Sequence, residues 1–253
     1  MQFKISQGTI EIGVPSEVKN IGIKHSGGLD STLILYMLAL YKRDERPDVE
    51  LIPMTVIAST KPFQWMYANM SQRKITELTG IKFKKHYVRA ADSRMEIEVD
   101  DIYDSNVDVV ATELKNYLYD NNIIDTHFYG VTLNPPLDAF STSGQRAPDR
   151  DKLLFNEKHP VYHPSKKKGQ FGVYQPLANI DKKGVCELYN KLGVLDELFP
   201  LTHSCENYNE HTLMQFDLSK HCGLSCCWWC QERLWGFGKL DALTDEQIKP
   251  SMD

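Results

Sequence analysis

One stretch constrains this chain more than any other: IGIKHSGGLDSTLILYMLAL, from Ile21 to Leu40. An apolar run of strand length leads in, and an apolar run of helical length leads out. Between them stand Ser26, Gly27, Gly28, Leu29, Asp30, Ser31 and Thr32. A tight turn with Ser26 or Asp30 as a helix cap explains one polar residue, not four. Strand, Gly-rich turn and helix is the architecture of a phosphate cradle. Glycines let backbone N–H groups approach an anion, and the helix N-terminus adds partial positive charge. Ser26, Ser31 and Thr32 add hydroxyl donors. The patterns G-x-x-x-x-G-K-[ST] and G-x-G-x-x-G are both absent here. What stands is S-G-G-x-D-S.

The flanking chain predicts the sheet around that turn. QFKISQGTIEIGV alternates like a short hairpin, and NIGIKHS is the strand entering the turn. STLILYMLALYKR is apolar nearly all round and predicts a buried helix. VELIPMTVIAS, IKFKKHYVRA and DTHFYGVTL read as further strands. FQWMYANMSQRKITELTG reads as a helix capped near Gly80, and VDVVATELKNYLYDNN as another. This alternation predicts an α/β fold, an open parallel sheet with helices on both faces. From Asn134 to Gln170 the pattern fails, in a run rich in Pro, Ser and charge. A segment of that length at that place predicts a functional loop. VYQPLANI then resumes extended structure, and DKKGVCELYNKLGVLDEL reads as one helix.

The 253 residues carry a net charge of −5, which argues against broad binding to nucleic acid. MQFKISQGTIEIGV has no long apolar core, so a secretory signal is not expected. No run approaches the length of a membrane span. The expectation is a cytoplasmic protein. Five of the six cysteines fall between Cys205 and Cys230. In a reducing compartment such clustering favours metal over disulfides. Cys227-Trp-Trp-Cys230 has the spacing of a zinc knuckle, with Cys222 upstream and Cys205 on a separate turn. Four thiolates suit tetrahedral Zn²⁺. Cys226 competes with Cys227, and the two-residue spacing to Cys230 favours Cys227. The predicted division is 1–200 for the nucleotide domain and 201–253 for a small metal-binding region packed on it.

The S-G-G-x-D-S turn resembles the PP-loop of the N-type ATP pyrophosphatases, whose fold is of the adenine nucleotide alpha hydrolase type. These enzymes split ATP between its α and β phosphates, and most adenylate a carboxylate or similar oxygen. The resemblance implies that Ser26, Gly27, Gly28 and Ser31 hold the pyrophosphate. Leu29 and Thr32 complete the loop, and Asp30 orients it or helps hold Mg²⁺. The stretch from Gln175 to Phe237 is similar to the C-terminal half of 7-cyano-7-deazaguanine synthases. Pro176-Leu177, Lys183, Leu192-Gly193, Ser204-Cys205, Cys222-Gly223, Cys227, Cys230, Arg233 and Gly236-Phe237 occur in that family's order. Two extra residues separate Cys222 from Cys227. Gly130 matches the family's glycine after the fourth strand.

That resemblance implies an ATP-dependent carbon–nitrogen ligase using Mg²⁺-ATP, a structural zinc and ammonia. The substrate would be a small carboxylate such as 7-carboxy-7-deazaguanine, converted to its amide or nitrile. Asp30, Ser31 and Lys183 would be catalytic, with Lys182 beside Lys183 at the same helix start. A homodimer is compatible with it. The sequence departs from the family at MTVIASTKPFQWMYANMSQRK and at YGVTLNPPLDAFSTSGQRAPDRDK, where the deazaguanine-contacting segment is expected. ATP and zinc therefore transfer better than the substrate. Sulfur transfer to a tRNA base, sulfonucleotide reduction and a nonenzymatic nucleotide-binding module remain alternatives. Arg233 is expected either at the ATP site or in a structural salt bridge, His25 as a local hydrogen-bonding group, and Trp228 and Trp229 in core or interface.

Overall fold

Strands β3 (Asn20–Lys24) and β4 (Glu50–Ile57) carry apolar residues on both faces, and both faces are covered. The computed structural model describes residues 1–58, 63–91, 105–144, 158–167, 169–205, 221 and 227–240. Their sheet has six strands in the order β5–β4–β3–β6–β8–β7. The additional strands are β5 (Tyr87–Ala90), β6 (Thr126–Phe128), β7 (Tyr162–His163) and β8 (Val173–Tyr174). All pairings are parallel except that of the edge strand β7 with β8. An antiparallel hairpin, β1 (Gln2–Ile5) and β2 (Gly8–Glu11), stands apart from this sheet.

Period-two alternation assigns the faces. Ile21, Ile23, Leu51 and Phe128 pack against α1 (Leu29–Asp44), α2 (Gln64–Thr79) and α4 (Lys182–Lys191). Ile52, Met54 and Val56 face α3 (Ser105–Asp120) through Leu114, Leu118 and Tyr119. Helices therefore cover both faces, and the α/β expectation holds. Gly22 belongs to the α3 face. A Cβ there would lie 3.0 Å from Ile124 Cδ1, so the glycine makes room for the chain entering β6. Helix α1 is buried from Ser31 through Tyr41, consistent with its apolar circumference.

Several boundaries differ from the sequence reading. The third core strand begins only at Tyr87; Ile81 and Phe83 pack on the core without joining the ladder. The fourth closes after Phe128. The helix read over DKKGVCELYNKLGVLDEL is two, α4 and α5 (Leu195–Leu198), separated at Gly193 with φ of 67°. Asp181 caps α4, its side chain accepting from the Lys183 and Gly184 amides. Gly80 closes α2 in the left-handed conformation, as expected. Within the irregular segment, Tyr162–His163 forms the sheet edge. Its earlier part folds back on α6 (Trp228–Phe237), the last helix among the described residues: the Ser141 and Thr142 hydroxyls both donate to Gln231 Oε1. No helix among the described residues is long and apolar enough to cross a membrane.

Candidate active site

The S-G-G-x-D-S turn leaves the carboxyl end of β3, a central strand, and opens directly into α1. Ligands bind at that edge in open α/β sheets. Gly28 is the N-cap of α1 and offers no side-chain cap, so the first amides of the helix are not covered by their own sequence. The serines shape the turn. The Ser26 amide donates to Ser31 Oγ at 3.2 Å, and the two hydroxyl oxygens lie 3.2 Å apart. The Ser31 hydroxyl also reaches Gly28 O.

Two glycines are required by close approach. Gly27 has φ of 74°, and a Cβ there would lie 2.7 Å from both Tyr67 Cβ and the Ala68 amide nitrogen. A Cβ on Gly130 would lie 2.8 Å from the Ser31 amide nitrogen and 2.9 Å from Asp30 Cβ. A side chain at 130 would thus cover an amide at the start of α1. Gly28 differs, because a Cβ there would make ordinary contacts with Ser26 and His203.

Asp30, in the first turn of α1, meets a lysine from the start of α4. That lysine is Lys182: its Nζ bonds Asp30 Oδ2. Lys183 turns elsewhere, with its Nζ 4.8 Å from the Trp235 ring centroid. Of the two adjacent lysines, Lys182 is the one at the loop. Asp30 Oδ1 and Thr32 Oγ1 are buried atoms with no hydrogen-bond partner among the described residues. A buried acceptor left so is costly unless a ligand completes it. The cradle, the uncovered glycines and these two oxygens fit a polyphosphate with its cation.

Neighbouring elements fix the turn. His25 is fully buried, and Nε2 lies 3.0 Å from both Ala68 O and Ser71 Oγ of α2. The carbonyl assigns the ring proton to Nε2. Burial, then the nearby His86, pushes its pKa down to about 3, so the ring is neutral. The His203 amide donates to Gly27 O at 3.0 Å. Its ring stacks between Tyr67 at 4.8 Å and His221 at 4.4 Å. The Tyr189 hydroxyl donates to Leu29 O at 2.9 Å. Leu29 is buried, so its side chain belongs to the core and only its backbone belongs to the turn.

The second constellation lies just beyond His203. Cys205, Cys227 and Cys230 bring their sulfurs within 4.8 Å of one another. Cys205 and Cys227 Sγ are 4.0 Å apart. Cys227 caps α6, its sulfur accepting from the Cys230 amide at 3.4 Å. Hydrogen bonds with Cys205 and Cys227, followed by burial, push the Cys230 thiol far up. Three crowded thiols in a dry corner ionise together only around a cation. Tetrahedral coordination at about 2.3 Å places sulfurs roughly 3.8 Å apart, close to the separation seen. Cys222 and Cys226 lie outside the described residues.

Arg233 is one turn beyond Cys230 on α6. Its guanidinium donates to Leu240 O, Thr202 Oγ1, Ser204 Oγ and Phe199 O, and stacks on Phe199. It locks the segment that carries His203 and Cys205. Sequence reasoning missed Tyr67, His203 and Glu232 at this site. Glu232 Oε2 lies 3.8 Å from Lys182 Nζ, and its side chain is 1% exposed.

No protein-family model and no curated protein matches the chain. Among solved structures, the U34-tRNA thiolase NcsA from Methanococcus maripaludis, determined with its 4Fe-4S cluster, aligns at 20% identity and a TM-score of 0.44. The alignment covers 69% of this chain and 57% of the thiolase, so the chain spans little more than half of that protein's length. NAD⁺ synthetase from Burkholderia pseudomallei aligns at 11% identity and a TM-score of 0.39, over 91% of this chain and 78% of the synthetase.

Proposed function

We propose that this protein is an ATP-dependent carbon–nitrogen ligase that cuts ATP to AMP and pyrophosphate. The observation that carries the reading is the S-G-G-x-D-S turn at the carboxyl edge of the central strands, with Lys182 on Asp30 and two buried loop oxygens awaiting a partner. The amides at the start of α1 bind the departing pyrophosphate, and Gly27 and Gly130 keep the backbone accessible. Lys182 stabilises the charge that accumulates as the α–β bond breaks. Asp30 is the carboxylate available to Mg²⁺, which neutralises polyphosphate charge when bound with ATP. Catalysis is then mainly positioning and charge stabilisation.

The acyl substrate is a small carboxylate of the 7-carboxy-7-deazaguanine kind, activated as its adenylate and attacked by ammonia. The support is the run of matches from Pro176 to Phe237 in the sequence. The segment from Asn134 to Gln170 selects this substrate, since it leaves the same sheet edge as the loop. The cysteine group holds one Zn²⁺ with a structural role: it ties Cys205, and through it the His203 amide on Gly27, to α6. A fourth ligand comes from Cys222.

The test is incubation with Mg²⁺-ATP, ammonium and 7-carboxy-7-deazaguanine, followed by chromatography of nucleotides and mass spectrometry of the acid. AMP and pyrophosphate with amide or nitrile are expected. ADP as the dominant product refutes the ATP reading. An inert acid with intact nucleotide binding refutes only the substrate.

A further inference from the structure

We propose that Glu232 is a positioning residue for Lys182, holding its ammonium at the loop to meet a polyphosphate; this rests on the nucleotide reading above. Glu232 stands on α6, two residues beyond Cys230 and between Gln231 and Arg233. Trp228, Trp229, Leu234 and Trp235 of the same helix are half-buried, while Glu232 is 1% exposed and faces Lys182, itself 7% exposed.

The packing that brings them together is specific. Gly236 lies one turn beyond Glu232, on the same helix face. A Cβ on Gly236 would sit 2.5 Å from Lys182 Cβ and 3.0 Å from its carbonyl carbon. Helix α6 therefore lies directly on the stem of Lys182. Gly236 pins the base of the side chain, and Glu232 faces its head at 3.8 Å. The other side of the head is taken by Asp30.

An ammonium has three donors and no acceptor. Asp30 alone would hold a flexible lysine by one partner, and that partner is on the loop itself. A second carboxylate, on a different element, fixes the head between two anchors and leaves a donor for a ligand. Burying a carboxylate is costly unless it is paired, and an apolar residue of similar volume packs as well. The buried carboxylate at 232 faces the Lys182 ammonium as an ion pair.

The experiment measures the affinity of Mg²⁺–α,β-methylene-ATP by calorimetry, with melting temperature alongside, for wild type, Glu232→Gln, Lys182→Met and the double variant. Glu232→Gln is expected to weaken binding about 10-fold, the lower end of the loss when a partner that orients a ligand-binding group is removed. Lys182→Met weakens it further, and the double variant binds no worse than Lys182→Met. Glu232→Gln is expected to cost less melting temperature in the Lys182→Met background than in wild type, because the ion pair is part of what it removes.

A carboxylate that merely repelled the polyanion would give the opposite result, tighter binding on neutralisation. Unchanged or tighter binding in Glu232→Gln overturns the proposal, as do losses that multiply in the double variant. If Glu232→Gln does not fold, Glu232→Asp serves, keeping the charge but withdrawing it by one methylene. Positioning predicts a partial loss of affinity there, and no loss overturns it. A wild-type protein that does not bind the nucleotide overturns the nucleotide reading instead. The melting-temperature cycle still decides the Glu232–Lys182 relationship, and additive shifts overturn it.

Discussion

Lys182 and Asp30 form an ion pair across 152 residues of sequence, between the first turn of α4 and the first turn of α1. Both helices thus begin at one spot on the carboxyl edge of the sheet. The first turn of α1 contributes positive potential from amides that no side chain caps, whereas Asp181 caps those of α4. A carboxylate and an ammonium beside the open end of α1 form a site poised for an anion and its counter-cation.

The choice between adjacent lysines is open to direct test. Lys182 is buried on Asp30, whereas Lys183 is exposed beside Trp235. Lys182→Met should lower ATP turnover about 100-fold, a loss typical of one preorganised charge-stabilising donor. Lys183→Ala should stay within about 3-fold, the range of an exposed contact. Quantified pyrophosphate release decides, and equal losses from both variants would remove Lys182's special role.

The glycines separate folding from binding. Ala at position 27 is strained at φ of 74° and drives a methyl into the Tyr67–Ala68 backbone. Gly27→Ala should cost about 1–3 kcal/mol of stability, on the scale of an incompatible left-handed position. Gly28→Ala meets only ordinary contacts. It should fold normally and lose nucleotide affinity through crowding of the approaching phosphate. Urea titrations set beside nucleotide binding give the two readouts.

The sheet and loop were legible in the sequence because their signals are local. Runs such as ELIPMTVI are apolar on both faces, and only a doubly covered strand uses them well. The S-G-G-x-D-S turn announces its backbone requirement at Gly27, and Gly80 announces a helix end. What stayed hidden depends on tertiary approach. The ladder rejects Ile81 and Phe83 because the sheet edge only begins pairing at Met54 with Tyr87. Lys182 is separated from Lys183 by which of them α6 covers, and that follows from Gly236, more than fifty positions away. Glu232 gave no signal at all, since a charge on a helix usually marks its wet face. Cys227 was favoured over Cys226 by spacing; its sulfur lies with those of Cys205 and Cys230, and Cys226 is outside the described residues.

Metal should be stoichiometric and structural. Elemental analysis of purified protein is expected to return one zinc per chain. Zinc sites of this kind contribute on the order of 10 kcal/mol to folding, so Cys230→Ser should yield poorly soluble protein. Cys226→Ser should be milder. A folded protein without metal, or equal damage from both variants, would sink the assignment. Chelation should also loosen the loop, because Cys205 is two residues from the His203 amide that holds Gly27 O.

Acid should destabilise the protein well above the carboxylate range, and His25 should carry part of the effect. Its pKa is pushed down to about 3 by burial, then by His86. His127 is pushed down to about 3 by burial, then by Lys115 and Lys24, and His86 to about 4 by burial. In the unfolded chain each titrates near about 6.5. The unfolded state therefore binds protons that the folded state refuses. Stability is full above pH 6.5 and declines as pH falls toward the folded values. Each such histidine adds a slope of about 1.4 kcal/mol per pH unit below its unfolded pKa. Urea midpoints between pH 7.5 and 5 should fall steadily. In His25→Gln the amide nitrogen can still donate toward Ala68 O, but nothing titrates. That variant should start less stable at pH 7.5 and decline less steeply, by about one proton's worth of slope. A slope identical to wild type would show that His25 is not among the groups whose protonation unfolds the loop.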